Sequence, residues 1–306
     1  MAEETTVSQP DVRMGVALMI VFCITAPMID VFAKLATTEL SVGQVTLARF
    51  SVQAALMLPL LGLMGLSWRV EQQQLGWLSL RALVALIFTA TFVAAVSYMP
   101  IADALAILFV SPFILMLLGR FWFKEEVGSA RVALSLMGFG GALLVIQPSL
   151  VRLGWVALLP LATALFFALY LLITRRLSTQ MHPITLQAHT ALVAVALAAP
   201  WVFLSGSGVV SWVEPPSWVF WGFMAGVGVA AALSHLAMTY ALKFAPSATL
   251  APLQYLEIPA AVMAGYWVFN DFPTPITGLG ILIIMGSGMG VIYREHRQWR
   301  RRSWAD

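Results

Sequence analysis

Apolar residues run along this chain in long unbroken blocks instead of alternating with polar ones. Ten blocks approach the ~20 residues a helix needs to cross a bilayer. They are 14–35, 44–66, 76–98, 101–122, 130–147, 154–175, 184–204, 216–241, 248–269 and 275–293. Residues 50–68, 82–102, 132–151, 153–174 and 272–293 contain no Asp, Glu, Lys or Arg. Hydrocarbon offers no partner to a backbone N–H or C=O, so a spanning chain is a helix or a closed barrel. Continuous apolarity predicts helices, because barrel strands alternate. Only Met99-Pro100 separates the third block from the fourth. Residues 1–13 are polar and hold Glu3, Glu4 and Asp11. An acidic start before a full-length block predicts an uncleaved first span behind a short tail, not a signal peptide.

Composition narrows the class further. Of 306 residues, 60% are hydrophobic and 10% charged, against about 25% charged in a soluble domain. Too few charges are available to cover a water-facing surface, and the hydrophobicity excludes a disordered chain. One cysteine, Cys23, rules out a disulfide scaffold and a cysteine metal cluster. The net charge of +3 matters less than its placement. With the N-terminus inside, Arg13, Arg69, Arg120, Lys124, Arg131, Arg175, Arg176, Lys243 and the tail arginines 294, 297, 300, 301 and 302 are cytoplasmic. Only Lys34 and Arg152 fall outside, so both termini are expected in the cytoplasm. The basic tail, 294–306, reads as an anchor near anionic lipid. The expected location is a bacterial-type inner membrane.

The halves resemble each other. Arg13-Met14-Gly15 matches Arg152-Leu153-Gly154, and Thr46-Leu47 matches Thr185-Leu186. Ala95-Val96-Ser97-Tyr98 matches Ala237-Met238-Thr239-Tyr240, and Gly119, Phe123 and Glu125 match Gly265, Phe269 and Asp271. The offset grows in steps, as loop insertions would make it. The expected domains are 14–147 and 154–293, five spans each. Five is odd, so the second half enters the membrane from the opposite side. Such inverted repeats build many secondary transporters, with the substrate near the midplane between the halves.

On these residues the chain resembles the drug/metabolite transporter superfamily, in its ten-span EamA-type branch. The first half carries Ala102-Asp103-Ala104-Leu105-Ala106, Ser111-Pro112, Gly119, Phe123-Lys124-Glu125 and Gly138-Phe139-Gly140. The second carries Ser247-Ala248-Thr249-Leu250-Ala251, Tyr255-Leu256-Glu257-Ile258-Pro259, Phe269-Asn270-Asp271 and Gly278-Leu279-Gly280. Lys34 and Leu47-Ala48-Arg49-Phe50 look like the family's first two spans. Asp271 departs from the family's usual Glu. The resemblance implies an all-α integral membrane fold, ten transmembrane helices as two inverted five-helix repeats around a central cavity. It implies transport of amino acids, amines, nucleotide-like metabolites, vitamins or carboxylates.

An ionisable group at membrane depth costs about 2.5–3.5 kcal/mol to insert, so each is a functional candidate. Glu257 lies near the midplane of the ninth block. It can pair with a cationic substrate group or carry a proton; the alternative is a protonated acid bonded to another helix. Gln254 shares its face one turn earlier, and Tyr255 lies beside it. Asp30 and Lys34, four apart, can pair with each other. With Arg49 and Asp103 they form an expected charge network at the outer mouth, either a gate and substrate site or structural ion pairs; Arg49 is read as structural. His235 can bind substrate, shuttle a proton or simply pack. Arg81 is explained by snorkelling at the cytoplasmic end. Tyr98, Tyr170 and Tyr240 can stack on a cation or flat heterocycle, or only pack. Gly222/Gly226 and Gly286/Gly290 form GxxxG pairs, for bundle packing or a dimer contact.

No phosphate-binding loop and no H-E-x-x-H occurs, so no metal or cofactor is expected and the chain is not read as an enzyme. The reading is a secondary active transporter for a small polar organic metabolite. A cationic or zwitterionic solute is favoured, such as an amino acid, an amine or an S-adenosylmethionine-like compound. A carboxylate or vitamin is the alternative; an integral-membrane enzyme or lipid flippase is the reading of another class. The expected partners are the small-molecule substrate and the lipid bilayer, with no nucleic acid, in a monomer or homodimer.

Overall fold

A computed structural model describes residues 12–111, 113–114, 118, 133–134, 136–144, 151, 154–178, 180–206, 208–244 and 250–302. Every regular element among them is helical. In chain order these are α1 (Val12–Ala36), α2 (Val42–Leu63), α3 (Gln72–Tyr98), α4 (Ile101–Leu108), α5 (Leu159–Ser178), α6 (Pro183–Leu204), α7 (Trp218–Phe244), α8 (Glu257–Phe269) and α9 (Pro275–Arg302). Two 3-10 segments, Gly154–Leu158 and Ala251–Leu256, lead into α5 and α8. Among the described residues, six helices are long and apolar enough to cross a membrane: α1, α2, α3, α5 with its lead-in, α6 and α7. The end of the fourth expected span and much of the fifth lie outside the described residues, although 136–144 is helical.

The sequence sets the ends of these helices. Ser41 caps α2, its Oγ accepting from the Gln44 N–H at 3.0 Å. His182 caps α6, with Pro183 in the first turn where no N–H is needed. Asn270 ends α8 in the left-handed region at φ 53°, and its N–H returns to the Tyr266 carbonyl at 3.0 Å. The pattern predicts that the last helix stops at residue 293, yet α9 continues through the basic tail to Arg302. Arg, Gln and Glu are good helix formers, and no Gly or Pro stands there to stop them.

Helices of the first half pack chiefly on helices of the second. α1 lies on α7, α2 on α6, α3 on α5 and α4 on α8. Gly226 makes the first contact possible: a Cβ there would sit 2.8 Å from the Phe32 ring. Its GxxxG partner Gly222 faces open space, so only one member of that pair serves packing inside the bundle. A buried polar link joins α2 to α6 and α7. Gln53 Nε2 donates to Gln187 Oε1 at 3.0 Å, and Gln187 Nε2 donates to the His235 carbonyl and Thr239 Oγ1, both at 2.9 Å.

The expected single helix over 248–269 is interrupted. Residues 251–256 are wound as a 3-10 helix, and α8 begins at Glu257. Pro252 and Pro259 bracket the break, and neither has an N–H to donate. The α-type bond from residue 259 back to Tyr255 therefore cannot form. A mid-span 3-10 stretch is a common mark of a functional hinge.

Candidate functional site

Between the halves lies a cavity of about 730 Å³, counted out to its open mouth. α1 supplies Phe22, Ala26, Ile29, Asp30 and Ala33. These positions fall at intervals of three and four, so one helical stripe faces the cavity. α2 gives Arg49, α3 gives Phe88, Thr89, Phe92 and Val93, and α4 with its following turn gives Leu105, Leu108, Phe109 and Ser111. α5 gives Thr163 and Phe167, α7 gives His235, and the interrupted helix gives Gln254 and Glu257. Five phenylalanine rings thus surround two acids, one arginine and one histidine.

Local bonds fix this wall. Cys23 Sγ donates to the Leu253 carbonyl at 3.2 Å, tying α1 to the 3-10 segment. Tyr255 stacks on Phe109 with centroids 5.2 Å apart. A Cβ at Gly288 would lie 2.1 Å from the Tyr255 ring, so only glycine fits there. Those contacts hold Gln254 and Glu257 toward the cavity, while Tyr255 packs behind.

Two arginines are buried nearby. The Arg49 guanidinium lies 4.3 Å from the Phe50 ring centroid and 5.8 Å from that of Phe88. Its Nη1 is buried with no hydrogen-bond partner among the described residues, as are His235 Nδ1 and Thr89 Oγ1. Arg81 is fully buried. It donates to Thr174 Oγ1 at 2.9 Å, to Tyr170 OH at 2.6 Å and to Thr190 Oγ1. Both threonines return their own protons to backbone carbonyls at 2.7 Å, which leaves their lone pairs for the arginine. Snorkelling does not describe Arg81: it is a buried cross-link of α3, α5 and α6.

The structure brings together Asp30, Arg49, His235, Gln254 and Glu257. The expected pairing of Lys34 with Asp30 is replaced by another. Lys34 Nζ binds Asp271 Oδ2 at 2.8 Å and lies 4.6 Å from the Phe269 ring centroid. The left-handed turn at Asn270 delivers Asp271 to that place. Lys34 thus pairs outside the expected four-charge network, and Asp103 is buried in the first turn of α4, outside the cavity wall. Tyr98 is 58% exposed at the end of α3, also away from the wall. Tyr170 is buried behind it, 5.1 Å from Phe88 and 5.9 Å from His235. Sequence reasoning missed the phenylalanines and Thr89, Ser111 and Thr163. Phe88 and Phe92, one turn apart, were the visible signal.

Comparison with known proteins agrees with this architecture. The model of the EamA-like transporter family matches residues 13–147 and again 154–293. A riboflavin transporter of Vibrio cholerae is 30% identical over 84% of this chain and 85% of its own length. An S-adenosylmethionine uptake transporter of Rickettsia conorii is 22% identical over 94% of this chain and 95% of its own. One solved crystal structure superposes with a TM-score of 0.66 at 18% identity, covering 95% of this chain and 99% of that one; it speaks to the fold alone.

Proposed function

This chain belongs to the EamA-like transporter family, and on that premise we propose that it is a secondary transporter for a flat, polar heteroaromatic solute of the riboflavin class. The cavity carries this reading. Five phenylalanine rings offer faces for stacking, and Asp30, Arg49, His235, Gln254 and Glu257 offer polar contacts. The relative that transports riboflavin supports the vitamin alternative over the cationic or zwitterionic solute favoured from the sequence. The protein is a multi-pass membrane protein of the bacterial inner-membrane type, with both termini in the cytoplasm.

Alternating access follows from two inverted five-span halves, and the packing supports that arrangement. Exchanging the halves turns the α1–α7 contact into α5–α3, and leaves α2–α6 and α4–α8 each mapped on itself. Phe109 and Tyr255 are stacked and stand 146 apart in sequence, the offset that relates Gly119 to Gly265. Equivalent residues touch only near a pseudo-two-fold axis. Glu257 lies in this region, and its counterpart at the same offset is Ser111. We assign Glu257 to substrate pairing or coupling, and Lys34 with Asp271 to a latch between the halves.

The test is uptake of labelled riboflavin by a riboflavin-requiring bacterium expressing this chain or its Glu257→Gln variant. Saturable uptake by the wild type, lost in the variant, supports the proposal. Absence of uptake in either direction sinks it. A second reading, an S-adenosylmethionine-like cation, draws on the two cavity acids Asp30 and Glu257. Saturable uptake of labelled S-adenosylmethionine, competed by unlabelled S-adenosylmethionine but not by riboflavin, would establish that one.

A further inference from the structure

Buried polar atoms without hydrogen-bond partners are rare and costly, because the protein forgoes hydrogen bonds that water would supply. In this chain the cavity wall contains three residues with such atoms: Arg49, Thr89 and His235. Their placement is ordered. The Arg49 guanidinium lies 5.8 Å from the Phe88 ring centroid, and the His235 ring lies 6.2 Å from it. Phe88 thus lines the cavity with a hydrogen-bonding group from α2 over its ring and another from α7 tilted against it. Arg49 is a donor only; neutral His235 has one accepting ring nitrogen. A donor and an acceptor around one aromatic ring match an imide edge, in which a ring carbonyl sits next to a ring N–H.

We propose that Arg49, Phe88 and His235 form the subsite that reads the imide edge of a flavin-type ring. Arg49 donates to a ring carbonyl, His235 accepts the imide N–H, and Phe88 stacks on the ring. The assignment rests on the riboflavin-class reading and sharpens it, since it states which end of the substrate the cavity reads. It gives Arg49 a ligand in place of the structural ion pair expected from sequence.

The experiment measures binding to the purified full chain in detergent, with riboflavin, lumichrome and 3-methylriboflavin as probes. Lumichrome keeps the imide edge and lacks the ribityl chain; 3-methylriboflavin keeps the chain and blocks the N–H. The wild type is expected to bind 3-methylriboflavin about tenfold or more weakly than riboflavin, the value of one good buried hydrogen bond. His235→Ala should erase that preference. Arg49→Met should weaken riboflavin and lumichrome by the same factor, about tenfold or more, and Arg49→Lys by less. Melting curves confirm that each variant is folded, and Arg49→Lys carries the test should Arg49→Met fail to fold. Equal wild-type binding of riboflavin and 3-methylriboflavin overturns the subsite while leaving the transport reading intact. So does loss of riboflavin alone in Arg49→Met, which would place the arginine on the ribityl chain. A wild type that binds no flavin overturns the riboflavin-class reading and this subsite with it.

Discussion

Arg49 and Arg81 are both buried at membrane depth, on helices of the same half, yet their surroundings are opposites. Arg81 has three side-chain hydrogen-bond partners from two helices of the other half. Arg49 rests on phenylalanine rings with Nη1 unpartnered among the described residues. A satisfied buried charge joins helices; an unsatisfied one weakens the fold and is retained for what it can bind. The contrast teaches that burial alone does not mark a functional charge at membrane depth. The number of partners left open does.

The largest effect should follow from removing the satisfied arginine. Arg81→Met abandons three hydrogen bonds to a charged group, and we expect a loss of about 2–4 kcal/mol, read as a lower melting temperature in detergent. Next comes Arg49→Met, which should melt at the wild-type temperature or above it while losing flavin binding. If both arginine variants lost stability equally, the contrast between them would collapse. Lys34→Met should change transport more than folding, because its pair with Asp271 is partly exposed at 20% and 35%. Such pairs contribute about 0–1 kcal/mol. A change in transport rate with unchanged binding would identify the latch; unchanged transport would reduce the pair to decoration. Tyr98→Ala should leave binding intact, and a loss there would enlarge the site beyond the cavity described.

The smallest effect lies outside the membrane. Burial and Lys243 hold the His182 ring below its usual range, and its Nδ1 accepts from the Ile184 N–H at 3.4 Å. A depressed histidine contributes stability above its unfolded value of ~6.5, and that contribution is lost as pH falls through the lower folded value. His182→Asn, which keeps an acceptor without a titrating ring, should flatten the acid side of the melting-temperature profile slightly.

Most helices were legible because the bilayer imposes length and apolarity together, and charge-free runs such as 82–102 leave no other choice. The break before Glu257 was missed although its cause is local. Pro252 and Pro259 sit inside an apolar block, and hydropathy registers their apolar rings but not their missing N–H groups. Asp30, Arg49, His235, Gln254 and Glu257 were singled out because polar groups are costly at depth. The phenylalanines were not, since a ring facing a cavity and a ring facing a neighbouring helix have the same sequence signature. Lys34 was given the wrong acid because spacing shows only neighbours on one helix, and Asp271 is 237 residues away. Arg81 was misplaced for a related reason: position near a span end does not say which way a long side chain turns.

The 3-10 segment before Glu257 can also be considered as a screw thread. Its six residues advance about 2.0 Å each at three per turn, whereas an α-helix advances about 1.5 Å each at 3.6 per turn. Rewinding the segment as α-helix, with no residue added or removed, would shorten it by about 3 Å and rotate its ends by about a third of a turn. Gln254 and Glu257, three apart and eclipsed at three residues per turn, would then stand about 60° apart, so the two could not both keep their place in the wall. Pro252 stands in the segment's first turn and Pro259 just beyond its end, so the change of pitch would fall on the stretch beside the cavity.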